Sequence, residues 1–240
     1  MIANGTYTSL DAARRLFAFG DWDHAAALLA EAESIEALEL RAEILYERFL
    51  FRLDGIEAAT DAIAALDPES VQARLLGARL AYTRLMFQMD PLPEDYETAE
   101  AGYRIAAADP KTRGWGEFHW GALHDNISED RAAAQAHYVK ALQVAHQEAD
   151  LILESIVLRH TAWHVIEDGD REQGLRMLRR SLHLRSAAGI RPQIAAAQLL
   201  LAAELPEDDP ERATLLEAAR SVADELGLSW VRTGLEKLAA

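Results

Sequence analysis

The chain has 240 residues, half of them hydrophobic, with 13 Gly, 7 Pro and no cysteine. Its 24 Lys and Arg stand against 40 Asp and Glu, a net charge of −16 at pH 7. Such a surface repels phosphate backbones and anionic lipid heads, which argues against nucleic-acid and membrane-surface partners, and the lack of cysteine excludes disulfides, thiolate metal sites and a cysteine nucleophile.

Runs of Ala, Leu, Glu and Arg favour helix, and strand-like alternation is absent. Met1 to Leu10 lacks the charged and then apolar order of a signal peptide, and no run of ~18 apolar residues follows, so a cytoplasmic protein is expected. The first helix is predicted from Ser9 to Phe19, capped by Thr8 or Ser9 and stopped at Gly20-Asp21, with Trp22–Glu33 as its partner. Ile35–Leu53, capped by Ser34, pairs with Ile56–Leu66 across Asp54-Gly55, and Asp67-Pro68 closes the pair. Ser70–Phe87 and Asp95–Ala108 follow, joined by the proline-broken segment Met89-Asp90-Pro91-Leu92-Pro93-Glu94 and closed by Asp109-Pro110. Next come Thr112–Asn126 with Asp130–Gln147, then Asp150–Asp168 with Arg171–Arg185 across Gly169-Asp170. Pro192–Glu204 pairs with Asp209–Leu226, and Ser229–Leu238 closes the chain.

Inside these pairs a small residue returns at Ala25, Ala59, Ala99, Ala134, Gly174 and Ala213, at intervals of 34, 40, 35, 40 and 39 residues. Four positions after each anchor stand Leu29, Ile63, Tyr103, Tyr138, Leu178 and, out of pattern, Glu217. A near-fixed period of this kind marks a stack of helical hairpins that buries its core between neighbours. No break in composition divides the chain, so residues 1–240 are read as one helical-repeat domain.

The runs Ala18-Phe19-Gly20-Asp21-Trp22-Asp23-His24-Ala25 and Glu167-Asp168-Gly169-Asp170-Arg171-Glu172-Gln173-Gly174 resemble the turn of a tetratricopeptide repeat. Asp67-Pro68 and Asp109-Pro110 are similar to the acidic-Pro stop that ends such a repeat. The stretch from Leu158-Arg159-His160 through Leu182-His183-Leu184-Arg185 resembles repeats of actinobacterial regulators and stand-alone helical-repeat proteins. Spacings near 40 rather than 34 imply longer helices, as in divergent members of the superfamily. The resemblance implies an all-α, right-handed α-solenoid of about six hairpins with a C-terminal capping helix. It also implies that the first helix of each pair lines a concave face that binds a protein, peptide or small molecule.

On that face Arg159, Trp163 and Glu167 fall at i, i+4 and i+8, with His160 and His164 as a second row beside them. Placing the preceding pair in the same register aligns His119 with Arg159 and His124 with His164. Trp115, His119, Trp120, His124, Arg159, His160, Trp163, His164 and Glu167 are thus expected on one stretch of groove. Three readings stay open for them: aromatic and imidazole filler between hairpins; a recognition site in which Trp faces and an Arg fork hold a ligand; or a metal or acid–base site using His119, His124, His160 and His164. The Glu of a His-Glu-x-x-His motif is missing and no phosphate loop, nucleophile elbow or dinucleotide fingerprint occurs, so a non-catalytic scaffold without metal or cofactor is expected. The repeat-fold enzyme is the alternative.

Six arginines, Arg171, Arg176, Arg179, Arg180, Arg185 and Arg191, share a stretch with a single acid, Glu172. Glu36, Glu39, Glu43 and Glu47 form an acidic stripe on an earlier helix. Either these are solvated faces paired locally, or Arg176, Arg179 and Arg180 meet an acidic partner or a second copy of the chain.

Overall fold

A computed structural model describes residues 8–239. Met1–Tyr7, which carry most of the segment read against a signal peptide, lie outside the described residues. No described helix is long and apolar enough to cross a membrane. The described residues form thirteen helices and no strand.

Helix α1, Ser9–Phe19, starts at a reciprocal cap: Thr8 Oγ1 accepts from the Asp11 amide at 3.2 Å, and the Asp11 carboxylate accepts from the Thr8 amide at 3.2 Å. Helix α2, Trp22–Ala27, stops well short of the expected Glu33. There the backbone tightens into i→i+3 bonds, Leu29 to Ala26 and Ala30 to Ala27, which end an α-helix. Helices α3, Ile35–Arg52, and α4, Ile56–Ala64, follow, with Ser34 Oγ capping α3. Then come α5, Val71–Phe87, and α6, Asp95–Ala108; α7, Arg113–Asn126, and α8, Arg131–Glu148; α9, Leu151–Glu167, and α10, Arg171–Ala188. Helices α11, Arg191–Glu204, and α12, Pro210–Leu226, form the last pair before α13, Ser229–Ala239.

Each helix packs on the next, and the first helices of neighbouring pairs touch as well: α3 with α5, α5 with α7, α7 with α9. The anchors sit where the pairs cross. Ala25, Ala59, Ala99 and Ala134 are fully buried. At Gly174 an added Cβ would come within 2.3 Å of Ile166 Cγ1 and 3.0 Å of the Ala162 carbonyl oxygen, so only glycine allows this crossing. The last anchor is a correction. Ala213 is exposed, and Leu215, Ala219 and Ala223 carry the buried face of α12. The extrapolated spacing landed on the outside of the helix.

The stack does not stay open. One cluster of buried residues joins Ala13 of α1, Trp22 of α2 and Phe51 of α3 to Ala195, Ala219, Val231 and Leu235 from α11, α12 and α13. Gly20, at φ +84°, sits at this seam, where a Cβ would lie 2.7 Å from Leu226 Cδ1 and 2.9 Å from Pro192 Cγ. Arg52 Nε donates to the Leu226 carbonyl at 3.2 Å, and the Arg191 guanidinium lies 5.7 Å from the Phe19 ring centroid. The first three and last three helices therefore meet, and the face expected to be a free groove becomes the wall of a central chamber.

Candidate ligand chamber

The chamber has a volume of about 780 Å³ and is lined mainly by α1, α3, α5, α7, α9 and α11, closed by Trp22 and Trp230. First helices supply most of its wall because they pack on one another inside the ring while their partners lie outside. Its size falls among sites that hold small organic ligands, and its surface is mainly apolar, aromatic and aliphatic, with charged groups set into it.

On the α3–α5 side, charge is balanced. Arg79, 8% exposed, donates from Nη2 to Glu47 Oε1 at 2.6 Å, and its guanidinium lies 4.2 Å from the Tyr46 ring centroid. The Tyr46 hydroxyl is 2.9 Å from Thr83 Oγ1, which in turn donates to the Arg79 carbonyl at 2.8 Å. Burial opposes the Arg79 charge, but Tyr46, Glu47 and Glu43 around it hold its pKa above the ordinary value. Burial also pushes the Glu43 carboxyl up.

The α7–α9 side is built on a different arrangement. Asp150 Oδ1 caps α9 by accepting from the Ile152 and Leu153 amides at 3.0 and 2.9 Å, and Asp150 Oδ2 accepts from Trp115 Nε1 at 3.0 Å. The cap that starts α9 thus also fixes a chamber aromatic. His119 stacks on Tyr103, ring centroids 5.4 Å apart, and its Nε2 is buried with no hydrogen-bond partner. Burial first, and then the Arg79 charge, push His119 well below its usual pKa, so the ring is neutral.

From the chamber a directed hydrogen-bond chain runs outward. Arg159 Nη2 bonds His160 Nε2 and, because a guanidinium only donates, Nε2 accepts. The ring proton of neutral His160 then sits on Nδ1, 3.1 Å from the Tyr138 hydroxyl, which donates to Asp125 Oδ2 at 2.9 Å. His164 Nε2 donates to Asp125 Oδ1 at 2.8 Å. Burial, helped by the Arg159 charge, takes His160 down to about 3.

Two guanidiniums on this side have no carboxylate within ion-pair distance among the described residues. Arg159 bonds His160, lies 5.1 Å from the Trp163 ring centroid, and leaves Nε buried without a partner. Arg185, 2% exposed, donates from Nε to Ser155 Oγ at 3.1 Å and from Nη1 to the Gln193 backbone oxygen and Oε1 at 3.0 and 3.1 Å. Burial and then Arg159 push Arg185 down to about 9, which leaves it cationic at neutral pH.

Of the nine residues expected on one stretch of groove, Trp115, His119, Arg159, His160 and Trp163 line the chamber; Trp120, His124, His164 and Glu167 do not. Trp120 packs against the α5–α6 core and stacks on His137 at 4.5 Å, and His137 stacks on His124 at 5.6 Å. His164 turns away toward Asp125, while Glu167 is exposed beside Arg131 at 3.9 Å. One helical turn beyond Trp163, Glu167 lies outside the lining, so the i, i+4, i+8 stripe runs past the chamber. The four histidines therefore do not meet at one point. Among the described residues no group of three His, Cys, Asp or Glu side chains is placed to hold a metal ion.

The arginine-rich stretch is paired within the chain. Arg176 bonds Glu172, Arg179 bonds Glu211 at 2.5 Å, and Arg180 reaches Glu154 at 3.3 Å. Arg171 pairs with Glu204, Arg191 with Glu225. Sequence reasoning assigned Arg185 to this surface and Glu43 and Glu47 to an acidic one, whereas all three face the chamber. Arg79, Tyr46 and Asp125 were not singled out. Their only signal was a polar residue inside an otherwise apolar helical face.

No protein-family model matches the chain, and no curated protein matches it in sequence.

Proposed function

We propose that this protein is a non-catalytic ligand-binding member of the tetratricopeptide-like superfamily. In this reading it is a right-handed α-solenoid of about six hairpins working in the cytoplasm, and its ligand is a small molecule held in the central chamber. The observation that carries the reading is the closure of the stack. An open concave face suits an extended peptide, whereas a concave pocket of about 780 Å³ bounded where the first and last helices meet suits a compact ligand. The fold alone does not choose between these, so the choice rests on the chamber.

The polar groups that face the chamber also favour binding over turnover. His119 and His160 are held neutral by burial, and the hydrogen bonds of His160 are committed to Arg159 and Tyr138.

Native mass spectrometry of the protein, purified from its own cytoplasm, tests the proposal. A small non-covalent adduct is expected, absent from a Leu200→Trp variant that fills part of the chamber. A protein partner retained equally by that variant would move the function to the outer surface and overturn the reading.

A further inference from the structure

We propose that the chamber takes an amphipathic anion, with a carboxylate or phosphate head held between Arg159 and Arg185 and an apolar body against Trp115, Phe118 and Trp163. This rests on the ligand-chamber reading above and names the chemistry of its occupant.

A guanidinium taken out of water without a counter-charge is costly, and proteins pair buried charges or keep them for a ligand. Among the described residues no carboxylate lies within ion-pair distance of Arg159 or Arg185. Both side chains line the chamber. Arg185 is held by three neutral acceptors, on Ser155 and Gln193, which fix its plane while leaving Nη2 unbonded. Arg159 is held by His160 and by the Trp163 face, leaving Nε and Nη1 unbonded. Two oriented forks with free donors, positioned by neutral groups, match the geometry of an oxyanion.

The other cations of the chamber are accounted for. Arg79 is paired with Glu47, Arg14 with Glu36 at 2.5 Å, and Lys111 is exposed. The α3–α5 side offers no unpaired buried cation, because Arg79 is already engaged by Glu47, so the head is directed to α9 and α10 and the body spans the aromatic middle. A protein of net charge −16 does not steer an anion in from a distance. Binding therefore depends on the short-range pair, which is little screened inside the chamber.

The test is isothermal titration calorimetry with decanoate, decyl phosphate and decanol, and with naphthoate and naphthamide, on the full chain. The acids are expected to bind roughly tenfold or more tightly than their neutral isosteres. The decanoate–decyl phosphate comparison identifies the preferred head. Arg159→Gln and Arg185→Gln should abolish the preference without lowering the melting temperature of the empty protein, because each removes a guanidinium that no carboxylate pairs. Arg159→Lys and Arg185→Lys, which keep the charge, should retain it, and they carry the test if a Gln variant does not fold. Equal binding of acid and neutral isostere would overturn the anion assignment while leaving the chamber a ligand site. No binding of any probe would remove both.

Discussion

The indole of Trp230 stacks on the ring of Phe51, centroids 5.8 Å apart, although the two lie near opposite ends of the chain. Phe51 stacks in turn on Trp22, 5.7 Å away. This three-ring column joins α13, α3 and α2 and forms one end of the chamber. It is the structural consequence that no single hairpin predicts.

Replacing Trp230 with Ala should therefore act twice. Loss of its half-buried indole is expected to cost about 2 kcal/mol of stability in urea denaturation. It should also weaken binding of the chamber's ligand, because the closing wall is gone. Full ligand affinity in Trp230→Ala would show that the seam does not shape the chamber.

Stability should fall on acidification in a way traceable to two histidines. His119 and His160 stay neutral in the fold, but in the unfolded chain they take up protons near pH ~6.5. Below that pH the unfolded state binds more protons than the folded one, so stability drops as pH falls. Near pH ~5 the pair contributes a slope of roughly 2–3 kcal/mol per pH unit. Asp125 adds in the same direction at lower pH: although burial opposes it, the nearby His160 ring and hydrogen bonds from His164 and Tyr138 hold its carboxyl below the ordinary range. That contribution is present above pH ~4 and is lost as pH falls. His160→Gln should reduce the slope near pH ~5 by about 1.4 kcal/mol per unit. An unchanged slope would mean that His160 titrates normally in the fold.

Two glycine-to-alanine changes should have opposite signs. At Gly174 the new methyl collides with Ile166 beside the Ala162 carbonyl, and a loss of about 1–3 kcal/mol is expected. At Gly77, within α5, nothing lies within 4 Å of the added Cβ, so the helix should gain about 0.5–1 kcal/mol. Thermal melts of the pair would read this directly, and destabilisation of equal size at both sites would contradict it.

Asp95 is 1% exposed and accepts from Arg84 Nη2, from Arg84 Nε at 2.9 Å and from the Leu92 amide at 2.8 Å. It ties the proline-broken loop to the last turn of α5. Asp95→Ala should cost about 3 kcal/mol because it strands the guanidinium. Adding Arg84→Met should recover part of that loss, since the stranded charge is then gone. A purely additive double mutant would show that the two residues are not coupled.

Most helix ends were legible because their signals are local. Ser34 caps the helix expected to follow it, Asp150 and Asp170 cap helices placed to within a residue, and Gly20 and Gly169 adopt the positive φ that their turns require. Arg159, His160 and Trp163 reached the chamber wall for the same reason, helical spacing on one face. Arg185 and Glu47 did not reveal themselves, because burial of a charged side chain depends on which distant helices surround it. The meeting of Phe51 with Trp230 is beyond any periodicity argument: the pitch accumulated over the whole stack decides it. Ala213 shows the opposite hazard, a regular interval continued one step too far.

Closure also constrains how such a chain can change over generations. An open array gains or loses a unit at little cost, since each unit needs only its neighbours. Here a deletion or duplication of one helical pair would misplace Trp230 against Phe51 and Leu226 against Gly20 and Arg52 together. Length is thereby locked to circumference.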